Sequence, residues 1–223
     1  MKEQIWARID RLTKTMDTVN WDDPQIYAAY MAQTYYYVSH STRLLALAAG
    51  LLPLSAGPAH QRFIKHISEE NRHEVLASRD VTALGYRVED FKELDTVKAF
   101  YRLQYYMIQN VSPWSLLGYI AALEALAVRG GPAIHERVCR RHGEKTGSFL
   151  KVHSAEDVEH VEQAFAMIES LPTDVQAAVW ENLEMSCTLF EAFLRDLPLA
   201  YQTTTLVAGQ ATPPAAEGKR KAG

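Results

Sequence analysis

Cysteine is scarce: Cys139 and Cys187 are the two in 223 residues. Neither sits in a Cys-x-x-Cys spacing, which excludes a disulfide framework and a zinc ribbon and fits a reducing compartment. Excess positive charge is missing as well. With 23 Lys+Arg against 27 Asp+Glu the formal charge is −4, so the chain has no basic surplus to neutralise phosphates, and nucleic acid is excluded as a partner. No apolar run approaches the ~18 residues of a membrane span. The longest, Leu44 to Leu54, is short and broken by Pro53, so no membrane partner is expected. Alternating strand-like runs bounded by Gly and Asn are absent too. The N-terminal MKEQIWARIDRLTK is charged and amphipathic where a secretory signal would be uniformly apolar, and a cytoplasmic location is expected.

What is present is helical periodicity. Hydrophobic residues make up 48% of the chain, and they recur at three- and four-residue spacing in nearly every long segment. The expectation is an all-α fold, a compact helical bundle of about seven to eight helices. It forms one metal-binding domain over residues 1–202, with a flexible tail over 203–223, where Thr, Ala, Pro and Gly displace the apolar pattern. Candidate helices run from Lys2 to Val19, Asp23 to Ala49, Ala59 to Leu84, Asp90 to Asn110, Pro113 to Val128, Ala133 to Arg141, Gly147 to Leu171 and Thr173 to Leu197. Gly85, Pro113 and Gly130-Gly131-Pro132 punctuate several of them. Bundles of this kind place metal and ligand sites between facing helices.

Three segments carry polar groups on faces that should be apolar. In SFLKVHSAEDVEHVEQAFAMIES, His153, Asp157 and His160 fall four and then three residues apart. With Asp157 at zero, the two histidines lie at about −40° and about −60°. Leu150, Val161, Ala164 and Ile168 occupy the same arc, so the three ionisable groups belong to the core-facing side. In LLGYIAALEALAV, Glu124 is the one charged residue between Pro113 and Val128. Such a group is protonated, hydrogen-bonded or bound to something positive. In HISEENRH, Glu70 and His73 have the spacing that puts two ligands one turn apart. The same projection favours Glu70 over Glu69 and leaves His66 on the inner face as a further candidate. Each clue alone has an ordinary structural explanation: a His-x3-Asp-x2-His match arises by chance in roughly one chain in a hundred. Three helices offering carboxylates and imidazoles together suit two first-row metals better than Mg²⁺, Ca²⁺ or structural zinc.

The runs HISEENRHEVLASRDVTALGY, GYIAALEAL and FLKVHSAEDVEHVEQAFAMIESLP resemble the haem-oxygenase-like dinuclear iron oxidases, or iron-containing redox enzymes, from about Trp21 to Ala200. The resemblance implies a haem-oxygenase-like bundle and a ligand set of Glu70, His73, Glu124, His153, Asp157 and His160. In some relatives the first Glu lies seven residues before its His, a position that His66 holds here. It also implies an O2-dependent non-haem di-iron oxidoreductase with two Fe (Fe2+/Fe3+) as cofactor and O2 as co-substrate. Such an enzyme acts on a small-molecule substrate, an organic acid or amino acid, by decarboxylation, C–C cleavage or N-oxygenation. An external electron donor and a homodimer are further expectations from the same source. Competing readings are a haem oxygenase using His40 as axial ligand, a thiaminase-II-like enzyme with Cys139 as nucleophile, and a non-enzymatic iron-binding bundle. Tyr35 to Tyr37, Tyr101, Tyr105 and Tyr106, with Arg43 or Arg102, are candidates to line a substrate pocket.

Overall fold

The computed structural model describes residues 1–208, except that the side chains of 155–159 and 201–208 are not described. Nine α-helices make up this part: α1 (Lys2–Met16), α2 (Pro24–Val38), α3 (Ser41–Leu51), α4 (Gly57–Glu69), α5 (His73–Ala83), α6 (Asp95–Tyr106), α7 (Leu116–His142), α8 (Ser148–Ser170) and α9 (Thr173–Ala208). Among the described residues there is no strand. α7 is the central rod and packs against α8, α9 and α1. A second layer is built on α2, which packs against α5, α9 and α6, and α3 pairs with α4. No helix among the described residues is long and apolar enough to cross a membrane.

Local chemistry accounts for several ends. The Asp23 carboxylate accepts from the backbone N–H of Gln25 at 2.8 Å and of Ile26 at 3.4 Å, with Pro24 in the first turn of α2. Both features satisfy or remove donors that a helix start leaves unpaired. Gly143 closes α7 at φ 102°, in the region open to a residue without Cβ. The arc foreseen on α8 is buried: Leu150, Val161, Ala164 and Ile168 are at most 6% exposed.

Three boundaries differ from the sequence expectation. The segment Asp23 to Ala49 is divided at Ser39 and His40 into α2 and α3. The segment Ala59 to Leu84 is divided between Glu70 and His73, where Arg72 takes a left-handed conformation at φ 71°. Gly130-Gly131-Pro132 does not stop a helix but lies inside α7. There the small residues let other helices come close: a Cβ on Gly131 would lie 2.5 Å from Ser154 Oγ of α8, and one on Gly130 would lie 3.3 Å from Thr13 of α1. Packing on both sides holds the backbone through the N–H that Pro132 lacks. α9 is helical through Ala208, into the segment expected to be tail, and residues 209–223 lie outside the described residues.

Candidate metal centre

The described residues among those singled out in the sequence come from four helices and meet between them. His66 lies near the end of α4, and Glu70 is the residue that caps that helix. His73 opens α5. Glu124 is in the middle of α7, and His153 and His160 are on α8. The expected one-turn spacing of Glu70 and His73 on a single helix is therefore replaced by a break. The left-handed Arg72 turns the chain so that Glu70 Oε2 still comes within 3.5 Å of His73 Nδ1.

Two groups of three side chains result. His66, Glu124 and His160 form one, and Glu70, His73 and His153 the other. Within each, the ligand atoms lie within 4.8 Å of one another. Glu70 joins them, because its Oε1 is 3.6 Å from His66 Nε2 while its Oε2 faces His73. His66 Nε2 is also 3.4 Å from Glu124 Oε1. The His66 and His160 ring centroids are 5.6 Å apart, and those of His73 and His153 are 4.9 Å apart. His66, an open candidate from sequence, thus takes a full place beside Glu124 and His160. The signal was its position seven residues before His73. Asp157 lies on α8 between His153 and His160 in sequence, and its side chain is outside the described residues. Glu69, placed at the edge by the projection, reaches the centre from α4: its Oε2 is 3.5 Å from His160 Nε2.

The electrostatics favour cations. Burial pushes the Glu70 carboxyl up, but hydrogen bonds with His66 and His73 and the nearness of His153 outweigh it and hold the group well below the ordinary carboxylate range. Burial likewise opposes ionisation of Glu69, and Lys65 and His160 overcome it. His66 Nδ1 is buried without a hydrogen-bond partner. Two imidazoles and a carboxylate per group, at these separations, form a donor set suited to a pair of divalent first-row ions and poorly suited to Ca²⁺ or Mg²⁺. The residues therefore fit two irons.

Supporting contacts fix the frame. Arg62 of α4 donates to the Gln163 side chain at 2.7 Å and to the His160 carbonyl at 3.2 Å, which ties α4 to α8. Asp80 of α5 accepts from the backbone N–H of Ser148 at 3.0 Å and of Phe149 at 2.9 Å, which caps α8 from another helix. The Phe149 ring lies 4.3 Å from that of His153.

The residues of the competing readings lie elsewhere. His40 stacks on Tyr101 at 3.9 Å, and its Nδ1 pairs with the Tyr105 hydroxyl at 2.9 Å. Arg43 is exposed and donates to the Ser39 carbonyl. Arg102 is exposed over the Tyr101 ring. Burial pushes the Cys139 thiol up and the Cys187 thiol to about 12, opposite to what a nucleophilic thiolate needs. Of the arginines near Cys139 in sequence, Arg137 pairs with Asp22 at 2.7 Å and Arg140 with Glu136 at 3.6 Å.

Comparison with solved structures places this arrangement on a known scaffold. A domain of unknown function with a haem-oxygenase-like fold from Shewanella denitrificans superposes with a TM-score of 0.79 at 21% identity, covering 96% of this chain and 97% of that one. A TenA homologue from Pseudomonas syringae gives 0.70 at 14% identity, covering 88% and 92%. A TenA homologue from Pyrococcus furiosus gives 0.71 at 12%, covering 88% and 98%. At these identities the likeness concerns the fold, which is haem-oxygenase-like. A sequence comparison with curated proteins finds no match. A family model described as iron-containing redox enzyme matches residues 28–191, a stretch that contains every described residue of the two groups. The chain belongs to the iron-containing redox enzyme family.

Proposed function

We propose that the chain is a non-haem di-iron oxidoreductase that uses O2 to oxidise a small organic molecule. Its metals would be held by Glu70, His73, Glu124, His153, Asp157 and His160, with His66 as an additional ligand. The observation that carries this reading is the pair of adjacent two-His, one-carboxylate groups joined through the two oxygens of Glu70. When bound, a ferrous pair supplies the electrons with which O2 is activated, and a substrate or an external donor restores them.

The chain's own part is positioning. Glu70 addresses both groups at once and fixes their separation. Glu124 brings a carboxyl group from the apolar face of α7, where it is 6% exposed. Arg62 and Asp80 hold α8 against α4 and α5, so that His153 and His160 stay in register with their partners. The TenA likeness supports a thiaminase-II-like alternative at the level of fold; the raised Cys139 and Cys187 thiols count against it.

Anaerobic Fe(II) loading followed by metal analysis tests the reading, with about two irons per chain expected. Oxygen should then be consumed, with a transient visible absorption whose decay a true substrate accelerates. Asp157→Ala with His160→Ala should abolish iron binding while circular dichroism stays helical. Undiminished iron in that folded double variant overturns the ligand set, and a haem-dependent Soret band would favour the haem reading.

A further inference from the structure

The group formed by His66, Glu124 and His160 is enclosed. The His66 side chain is 6% exposed and that of His160 13%, and Glu124 is buried as well. Glu69 stands at the edge of this group. Its side chain is 26% exposed, and its Oε2 lies 3.5 Å from His160 Nε2. It belongs to neither group of three. An oxygen and a nitrogen that each hold a first-row ion at ~2.1 Å lie roughly 3 to 3.5 Å from one another. Glu69 and His160 can therefore share one ion with little movement, and His160 is already a member of the inner group.

The electrostatics of this edge draw cations from solvent. Glu69 is the last residue of α4, where the helix carries the negative end of its dipole. Although burial opposes it, Lys65, His160 and His66 hold the Glu69 carboxyl below the ordinary range, so it is ionised. A cation already sits on it. Lys65 Nζ, one turn back along α4, is 2.9 Å from Glu69 Oε1, and the Lys65 side chain is 63% exposed. Exposed pairs of this kind are weak, and a hydrated ammonium on a flexible stem exchanges readily. The outer oxygen of Glu69 thus holds a replaceable cation, while the other oxygen faces a histidine of the centre. Arg62, the next basic residue on α4, is tied to the Gln163 side chain and the His160 carbonyl instead.

We propose that Glu69 is the entry residue of the centre: it takes a divalent first-row ion from solvent in exchange for the Lys65 ammonium and passes it to His160 without remaining a ligand. The proposal rests on the metal-binding part of the oxidase reading. Its signature is kinetic. A residue that touches the ion only in passing lowers the barrier in both directions, so its removal slows uptake and release by one factor and leaves affinity unchanged. Removal of a resident ligand weakens affinity and speeds release.

The test is anaerobic rapid mixing of the metal-free chain with Fe(II), stopped at increasing times with a colorimetric chelator, together with release of Fe(II) from the loaded chain to the same chelator. Glu69→Gln should slow both about ten-fold, with the iron stoichiometry and helicity of the parent. Glu69→Asp, which keeps the charge, should restore most of the rate. Lys65→Met, which frees the carboxylate, should speed both about three-fold. Glu181→Gln, which removes one exposed charge from α9, should change neither. Faster release or a lost iron in Glu69→Gln makes Glu69 a resident ligand and overturns the proposal. Equal slowing by Glu181→Gln also overturns it, because net charge alone then attracts the ion. Parent rates in Glu69→Gln with two irons bound overturn it and leave the oxidase reading standing. Uptake that depends on Glu69 with no oxygen consumed keeps this proposal and removes that reading. A parent that takes up no Fe(II) overturns both.

Discussion

Arg8 shows how much one residue can do in this fold. It is 4% exposed, yet its guanidinium donates to Glu184 at 2.9 Å and to Glu191 at 2.8 Å, clamping α1 to α9. Both carboxylates reach solvent, and Glu184 keeps Arg11 at 3.6 Å, so removing the guanidinium costs mainly two charge-assisted hydrogen bonds. Arg8→Ala should therefore cost about 2 kcal/mol in urea denaturation, and Arg8→Met less, because it keeps the apolar stem. At the centre, Glu124 was legible in sequence as a lone charge in an apolar face, and the structure places it 3.4 Å from His66. His66 itself was legible only as an alternative: its inner-face position was apparent, but whether it or a neighbour met Glu124 depends on the packing of α4. Glu124→Gln, of the same shape and neutral, should lower iron stoichiometry from about two to about one per chain, read by metal analysis, with unchanged helicity. Glu69 was read as an edge residue, which is its place on the helix, but the approach of α8 brings His160 to it.

At the scale of elements, the start of α8 is held by another helix. Gly147 precedes it and offers no side-chain cap. A capping residue there has no room, since a Cβ would lie 2.7 Å from Cys139 Sγ and 2.8 Å from the His135 ring. The fully buried Asp80 takes over the task from α5. Asp80→Ala should cost about 1–3 kcal/mol and raise the half-saturating Fe(II) concentration. A competition assay with a colorimetric chelator measures the second effect. Burial lifts the Asp80 carboxyl to about 6 from 3.8, despite the bonds from Phe149 and Ser148 that oppose the rise. The native chain thus holds this proton more tightly than the unfolded one. The stability from that proton is fully present below pH 3.8 and is lost as pH rises through about 6. Tyr27 and Cys139, its titratable neighbours, both have raised values and stay neutral over that range. Denaturation at pH 4, 5, 6 and 7 should show the difference between parent and Asp80→Asn changing across that interval and flat above it. α7 teaches a related lesson. Glycine and proline at 130–132 mark a helix end by local propensity, yet close packing of α1 and α8 keeps the rod continuous. At Gly118 the backbone of α9 comes so near that a Cβ would collide with the Val179 carbonyl. Gly118→Ala should lower the melting temperature by several degrees despite better helix propensity.

For the molecule as a whole, the two groups draw on α4, α5, α7 and α8, so metal bound there should stabilise the fold it bridges. Adding Fe(II) anaerobically in hundred-fold excess over its dissociation constant should raise stability by about 2.7 kcal/mol per independent site, seen as a concentration-dependent rise in melting temperature. An unchanged melt with iron bound would mean that the unfolded chain binds the metal as tightly as the folded one. The amino-acid sequence determined the helical class, because apolar residues at three- and four-residue spacing can be buried only along helical stripes. It also determined the inward histidines of α8 and the misplaced charge of Glu124, because a polar residue inside such a stripe is visible without coordinates. Only the tertiary structure decided that Glu70 and His73 meet across a break and that His66 completes a group. Those features depend on where separate helices cross, which is set by side-chain packing over long chain separations and leaves no periodic mark in the sequence.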